Sequence, residues 1–164
     1  MTSRRSVLKM LAGSGFAVVA PSLLAKKAFA GDAPAEISTE VMVLHATNEG
    51  KGIDPGIGDM PELKKPPFSA YDTYKLLGKS THKLPKDKEQ DKKLPNDSKL
   101  LLTYKDLVPA KKNEPEKFVV GVKIKKPDDT EFIASTFHSP KGQVFFVAGP
   151  KYKNGVLVIG IKIV

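Results

Sequence analysis

The feature that most constrains this chain is a strict alternation of residue types in its second half. From residue 117 to residue 125, Phe118, Val120, Val122 and Ile124 occupy every second position, and lysine holds three of the five positions around them. Successive side chains of a β-strand point to opposite faces of its sheet. The alternation therefore predicts a strand with one apolar face and one face that is mostly lysine.

Six further stretches have the β-branched and apolar composition of strands, and segments rich in proline, glycine, asparagine and aspartate separate them. They lie at about residues 40–47, 71–84, 99–107, 130–138, 144–148 and 156–164. The first is apolar at consecutive positions, which predicts a strand covered on both faces. The last is preceded by Asn154-Gly155, a pair typical of β-hairpin turns.

Seven short strands separated by turns predict an all-β fold. We expect an antiparallel β-sandwich of the immunoglobulin-like type, with a small open β-barrel as the alternative. We expect at most one short helix, with Asp54 as its N-cap, Pro55 in its first turn and Leu63 near its end. The mixed-charge run at residues 85–93 is expected to be a solvated loop or hairpin tip rather than a partner-binding patch.

The first thirty residues have the charged start, apolar middle and small-residue end of an export signal. Arg4 and Arg5 directly precede the apolar stretch, and Leu8 and Lys9 follow them at fixed offsets. This arrangement resembles the twin-arginine signal, whose usual pattern is Ser/Thr-Arg-Arg-x-Phe-Leu-Lys, with Val7 here where phenylalanine is commonest. The resemblance implies that the twin-arginine translocase recognises these residues and exports the protein folded.

The small residues Ala28 and Ala30 predict cleavage before Gly31. The apolar run of residues 10–24 is shorter than the roughly 20 residues that a membrane-spanning helix needs. We therefore expect residues 1–30 to be removed, residues 31–38 to be a linker, and residues 39–164 to form a single periplasmic domain without an integral membrane segment. The alternatives are a general secretory signal, an uncleaved N-terminal anchor, and secretion from the cell.

The charge of the predicted mature chain argues against one class of partner. The chain has 27 basic residues, of which five lie in the leader, so 22 lysines remain against 18 acidic residues and no arginine remains. Arginine makes the bidentate contacts to guanine and phosphate for which lysine is a poor substitute. We therefore expect no specific nucleic-acid partner, and the small positive excess weakly favours an acidic one.

The chain contains no cysteine. Thiol nucleophiles, all-thiolate iron–sulfur clusters and blue-copper sites are thereby excluded. Two strand histidines, His45 and His138, together with Met42 could form a copper or zinc site, because imidazole and thioether groups suit copper. No H-x-H or H-x-x-x-H spacing places two histidines on one strand face, so the alternative is ordinary packed or hydrogen-bonded histidines.

A hydrolase would need a serine or other nucleophile within hydrogen-bond reach of a base. Ser135 and Ser139 flank His138, but neighbouring residues of a strand point to different faces. The Gly-x-Ser-x-Gly elbow does not occur in the predicted mature chain. We therefore do not expect catalytic residues, and a hydrolase remains an alternative.

Aromatic residues are concentrated around residues 65–74. Phe68, Tyr71 and Tyr74 follow two prolines and would form a binding surface if they were exposed, because aromatic side chains are favoured at binding centres. If they are buried, they lie where the chain enters the sheet. We favour burial.

Three pairs of stretches carry a wider resemblance. They are His45-Ala46-Thr47-Asn48 with Gly52-Ile53-Asp54-Pro55, Pro66-Pro67-Phe68-Ser69-Ala70-Tyr71 with Lys75-Leu76-Leu77, and Phe145-Phe146-Val147-Ala148-Gly149 with Gly155-Val156-Leu157-Val158-Ile159. Together they resemble a group of small exported proteins from Gram-negative bacteria. The resemblance implies a periplasmic location and a single β-rich domain, and it brings no catalytic residues with it.

These patterns together predict an exported, non-enzymatic binding or assembly module with a protein partner in the periplasm and no cofactor. A copper- or zinc-binding protein is the first alternative and a hydrolase the second. If the main prediction is right, no pocket should gather two or more convergent ionisable groups.

Overall fold

Most of the described chain forms strands, as its alternating apolar residues predict. The computed structural model describes residues 32–164, in which nine strands form. They are β1 (Glu36–Thr47), β2 (Gly52–Ile53), β3 (Thr73–Pro85), β4 (Glu89–Lys93), β5 (Lys99–Val108), β6 (Lys117–Lys125), β7 (Glu131–Ser139), β8 (Val144–Tyr152) and β9 (Gly155–Ile163). The seven longest correspond to the seven predicted strands, and β2 and β4 were not predicted.

The strands form two sheets. The five-stranded sheet has the order β2-β3-β1-β9-β8 and curves into a half-barrel, and the four-stranded sheet is the meander β4-β5-β6-β7. Every strand pair is antiparallel except β2 with β3. The prediction of an all-β antiparallel sandwich is confirmed.

One apolar core lies between the sheets. The four apolar residues of the alternating β6 pattern all face it, and on β1 it is met by Val41 and Val43. The β9 strand contributes every second residue from Leu157 to Ile163, each at most 1% exposed. Apolar burial of this kind is the main term that stabilises a fold.

A second apolar core covers the outer face of the five-stranded sheet. The intervening β1 residues Met42, Leu44 and Ala46 point to this face, where Ile57 and Leu63 pack against them. Both covering residues come from the connection between β2 and β3. The expectation that β1 is covered on both faces is thus confirmed, and this connection is what covers its second face.

The connection between β2 and β3 holds three 3₁₀ turns, Pro55–Ile57, Pro61–Lys64 and Phe68–Ala70, instead of one helix. Asp54 does act as an N-cap, because its Oδ1 accepts a hydrogen bond of 2.9 Å from the N–H of Gly56. The helical path then stops at Gly58, whose φ of 82° is left-handed. The expectation of at most one short helix is therefore confirmed, since this connection forms 3₁₀ turns only, and the predicted cap is correct.

Two predictions about local structure need correction. The charged run of residues 85–93 is not only a loop, because Glu89–Lys93 pairs with β5 as an exposed edge strand. Charge on an edge strand discourages further strand pairing, which explains this composition. At the other end of the domain, β1 begins at Glu36, so the linker expected to reach Ser38 is three residues shorter.

The predicted signal residues lie outside the part of the chain that the structure describes. They are Arg4, Arg5, Leu8, Lys9, Ala28, Ala30 and Gly31. Among residues 32–164, no helix is long and apolar enough to cross a membrane.

Candidate functional site

An open cleft of about 450 Å³ lies at one end of the five-stranded sheet, where the start of β3 and the end of β1 meet the β8–β9 turn. Its polar lining combines charges of both signs. The residues concerned are His45, Glu49, Lys51, Asp54, Lys75, Lys153 and Asn154. The cleft therefore brings together three lysines, two carboxylates and a histidine.

Thr73, the first residue of β3, holds the loop that forms one wall of this cleft. Its Oγ1 accepts hydrogen bonds from the backbone N–H groups of Lys51, at 2.9 Å, and Glu49, at 3.3 Å. The same hydroxyl donates to Oδ1 of Asp72 at 2.8 Å, and that oxygen also accepts from the N–H of Gly50 at 2.9 Å. The backbone of residues 49–51 is thus hydrogen-bonded to the side chains of Asp72 and Thr73.

Asp72 is held in its charged form by these contacts. The Gly50 N–H and then the Thr73 hydroxyl lower the pKa of its carboxyl below the ordinary value. On the other side, the N–H of Asp72 donates to Oδ1 of Asn48 at 3.1 Å. The loop therefore donates hydrogen bonds to residues at the start of β3 and also accepts one from them.

Glu49 connects this loop to the β8–β9 turn. Its carboxylate accepts one hydrogen bond of 2.7 Å from Lys51 Nζ and another of 2.7 Å from Asn154 Nδ2. These two donors, Lys51 first, lower the pKa of Glu49, and the same ion pair raises the pKa of Lys51. Both oxygens of Glu49 are therefore engaged in fixing the cleft's shape.

His45 lines the cleft and also makes a hydrogen bond. Its Nε2 donates to the backbone oxygen of Tyr152 at 3.1 Å, and the two rings meet edge to face with centroids 5.1 Å apart. Since a carbonyl oxygen can only accept, this contact assigns the proton to Nε2. The histidine joins β1 to the end of β8.

Two lysines of the cleft lack an acidic partner. Among residues 32–164, neither Lys75 nor Lys153 takes part in an ion pair. Lys75 lies opposite His45 in the β1–β3 register, and Lys153 Nζ lies 5.2 Å from the centroid of the Tyr152 ring. The cleft thus offers two exposed ammonium groups beside a fixed, hydrogen-bonded wall.

The expectation that no pocket gathers two or more convergent ionisable groups is therefore wrong, since three lysines, two carboxylates and a histidine line this one cleft. The sequence signal that was missed is the segment of residues 48–52. It reads only as a strand break, yet two of its residues are glycines with positive φ, 69° at Gly50 and 75° at Gly52. Charged residues between such glycines are typical of a loop with a defined backbone conformation.

The three candidate metal ligands do not come together. Met42 is 1% exposed in the outer core, whereas His45 points to the opposite face of β1. His138 is an exposed residue of β7, in the other sheet, while its neighbour Phe137 packs inward. Within residues 32–164, no group of three His, Cys, Asp or Glu side chains is arranged to hold a metal ion.

The aromatic candidates lie at the second core. Tyr74 is 2% exposed, and its hydroxyl donates to the backbone oxygen of Phe68 at 2.6 Å. Burial raises the pKa of Tyr74 to about 12. Phe68 packs edge to face on Phe146 at 5.8 Å, and Tyr71 is half-buried beside them. Burial is thus confirmed for Tyr74, whereas Phe68 and Tyr71 are partly buried against the same core.

A second polar cluster, not anticipated from sequence, lies between the sheets at their β3 and β4 edges. Ser80 Oγ lies 2.9 Å from His82 Nε2, and Lys92 Nζ donates to the same hydroxyl. Burial, and next the charge of Lys92, lower the pKa of His82, and burial lowers the pKa of Lys92. The third member of this group is a cation, whereas a catalytic serine triad has a carboxylate that orients the histidine.

Comparison of the chain with protein-family models, with curated protein sequences and with solved structures finds no match.

Proposed function

We propose that this protein is an exported, non-enzymatic binding module that holds a small anionic ligand in the cleft at the end of the five-stranded sheet. The observation that carries the proposal is the pair of cleft lysines without an acidic partner, Lys75 and Lys153. A carboxylate, phosphate or sulfate group between them would gain charge-assisted hydrogen bonds. The wall formed by residues 48–52 is already bonded in place, so little ordering would oppose binding.

The cleft gathers ionisable groups, which a non-enzymatic module was not expected to do, but the hydrogen bonds of these groups support binding rather than catalysis. A general base needs an open acceptor near the substrate. In this cleft, Glu49 accepts two hydrogen bonds, and Asp54 accepts from the N–H groups of Gly56 and Leu76 at 2.9 and 3.3 Å. His45 donates through Nε2 to Tyr152, and this bond together with the edge-to-face ring contact fixes the orientation of its ring. These groups maintain the shape of the cleft.

Titration of the purified protein with inorganic phosphate, sulfate and citrate, followed by NMR, tests the proposal. We expect at least one of these anions to shift the amide signals of Lys51, Lys75 and Lys153. The double variant K75Q/K153Q should bind it at least about tenfold more weakly, since hydrogen bonds to charged groups contribute about 1.5–3 kcal/mol each.

The matched control is K112Q/K126Q, which removes two exposed lysines that lie outside the cleft. It should bind as the unchanged protein does. If both double variants weaken binding equally, the anion responds to net charge and not to the cleft. If none of the anions shifts the cleft signals, the proposed ligand class is wrong.

Export through the twin-arginine route, to the periplasm, is the part of the proposal that depends on the leader. It is supported by the resemblance of the segment around Arg4 and Arg5 to the twin-arginine signal. The double variant R4K/R5K should accumulate uncleaved in the cytoplasm, whereas K26Q/K27Q should still be exported by the same route. Unchanged export of R4K/R5K, measured by cell fractionation, would point to the general secretory pathway.

A hydrolase is the second candidate, because Ser80 and His82 are within hydrogen-bond reach of each other. The Ser80 hydroxyl would attack an ester carbonyl while His82 Nε2 accepts its proton and passes it to the departing alcohol, and water would then hydrolyse the acyl-enzyme. A fluorophosphonate probe should then label the protein and fail to label S80A, whereas S135A should be labelled normally. Absence of labelling in the unchanged protein removes this candidate.

A further inference from the structure

Sheet edges differ in how well they are protected against pairing with another strand. An edge strand carries unpaired N–H and C=O groups, and natural proteins usually protect it by shortness, charge, proline or a bulge. The β2 edge has two residues, and β4 has five, of which four are charged. The β8 edge has an irregularity between Ala148 and Lys151 that includes Pro150. Three of the four edges thus carry a recognised protection.

The β7 edge lacks such protection. Its nine residues, Glu131–Ser139, include neither lysine nor proline, and its one irregularity lies at its very start, opposite Lys125. It pairs only with β6. On its other side, no backbone group of β7 has a hydrogen-bond partner among residues 32–164. Its outer face is exposed, and Phe132 is 42% exposed there.

We propose that two copies of this chain pair antiparallel along β7, about a twofold axis at Ser135, and join their four-stranded sheets into one continuous sheet. In this register Ala134 of each copy lies opposite Thr136 of the other, and Ile133 lies opposite Phe137. No two like charges face each other along the strand. A twofold contact of this kind uses the same surface on both copies, so the strand must be complementary to itself.

The charges at the two ends of β7 support a second copy as the occupant. The strand begins on the acidic side, with Asp128 and Asp129 in the preceding turn and Glu131 as its first residue. Lys141 follows its other end. Antiparallel pairing about Ser135 places the acidic start of one copy beside the basic end of the other. There Asp129 already pairs with Lys99 of its own chain at 3.1 Å, whereas Asp128 takes part in no ion pair within residues 32–164. Opposite charges across strands favour this pairing, and like charges oppose it.

Sedimentation of the protein, purified from the cell in its native form, tests this inference. We expect a monomer–dimer equilibrium at concentrations of about 10 μM to 1 mM, a range in which weak strand-addition contacts are populated. The variants A134K/T136K and A134E/T136E each put like charges opposite each other twice across the axis. Each should dimerise at least about tenfold more weakly.

An equimolar mixture of the two variants should recover the dimer, because each introduced lysine then faces a glutamate. The side chains of Ala134 and Thr136 are exposed, so the fold should tolerate the changes. The control T103K introduces a lysine on the same outer face, but on β5, which is paired on both sides. It should dimerise as the unchanged protein does.

Hydrogen exchange gives a readout that needs no variant. The unpaired amides of β7 should become more protected as the protein concentration rises through the dimerisation range, while those of β5 should not change. A protein that stays monomeric at 1 mM overturns the proposal. So does a lysine variant that dimerises normally, or a mixture of the two charge variants that remains monomeric.

Discussion

The wall of the cleft should depend on one hydroxyl group, that of Thr73. The substitution Thr73→Val keeps the shape of the side chain and removes the oxygen that bonds Lys51, Glu49 and Asp72. Thr73 is 6% exposed, so the valine fills the same buried space and leaves no cavity. The change therefore isolates the hydrogen bonds from the packing.

The expected cost follows from counting these bonds. A protein hydrogen bond contributes about 0.5–1.5 kcal/mol net, and a buried donor left without a partner costs about 1–3 kcal/mol. Lys51 and Glu49 are exposed residues, so water can reach their freed N–H groups. We therefore expect the free energy of unfolding to fall by about 1–2 kcal/mol. Thr73→Ser keeps the hydroxyl and should recover most of this loss.

Chemical denaturation measures the loss, and hydrogen exchange locates it. The Lys51 and Glu49 amides should lose protection in Thr73→Val while the amides of β6 change only by the global loss of stability. Thr136→Val is the matched control, since its hydroxyl is exposed and bonds only Lys105 Nζ. If the free energy of unfolding of Thr73→Val lies within about 0.3 kcal/mol of that of the unchanged protein, and the Lys51 amide is equally protected, then the Thr73 hydroxyl does not hold this loop.

Four further results are expected. Leu63→Ala should lower the free energy of unfolding by about 2–5 kcal/mol, because Leu63 is 2% exposed in the second core, and urea denaturation measures this loss. Burial raises the pKa of Tyr74 to about 12, so stability that is complete below pH 10 should fall as the pH rises from 10 towards 12, and Tyr74→Phe should abolish this decline in alkaline denaturation curves. The pKa of His82 is lowered from 6.5 mainly by burial, so its unfolded form binds protons first; stability should decrease as the pH falls below 6.5, and less so in His82→Gln. Elemental analysis should give the same copper and zinc content for His45→Ala as for the unchanged protein, because the structure does not bring His45, His138 and Met42 together; stoichiometric metal that His45→Ala loses would contradict this geometry.

The parts of the fold that sequence predicts are those where a single periodicity decides the structure. In β6, alternate residues are apolar, and the two faces of the strand differ as the pattern requires. The β4 strand was not predicted because its residues are polar on both faces, so its pairing with β5 depends on backbone hydrogen bonds and leaves no apolar signal. The 3₁₀ turns replace a helix because Gly58 and Pro61 interrupt it, although Asp54 caps the first turn as expected.

The candidate site was not predictable in the same way, because its members are far apart in the chain. Glu49 and Asn154 are 105 residues apart and meet only through the register of β1, β9 and β8. Neither residue has a local pattern that distinguishes it from any polar turn residue. Ser80 and His82 are close in sequence, but it is Lys92 from the other sheet that completes their cluster.

The parallel pairing of the two-residue strand β2 with the start of β3 explains why the cleft and the second core occur together. Parallel strands cannot be joined by a tight turn and need a crossover connection. Here the crossover leaves the sheet at Ile53 and returns at Thr73, and it covers the outer face in between. At its start, the N–H of Asp54 donates to the backbone oxygen of Tyr74 at 2.8 Å, so the crossover begins and ends at the cleft.

The packing of the crossover should therefore affect ligand binding as well as stability. Leu63 anchors the middle of this connection, far along the chain from the loop that bonds Thr73. If the cleft is held partly by that packing, Leu63→Ala should weaken anion binding even under conditions where the protein remains folded. Val120→Ala, which opens a comparable gap in the core between the sheets, should destabilise the fold without weakening binding. Equal effects of the two changes on affinity would mean that the crossover only covers the sheet and does not shape the site.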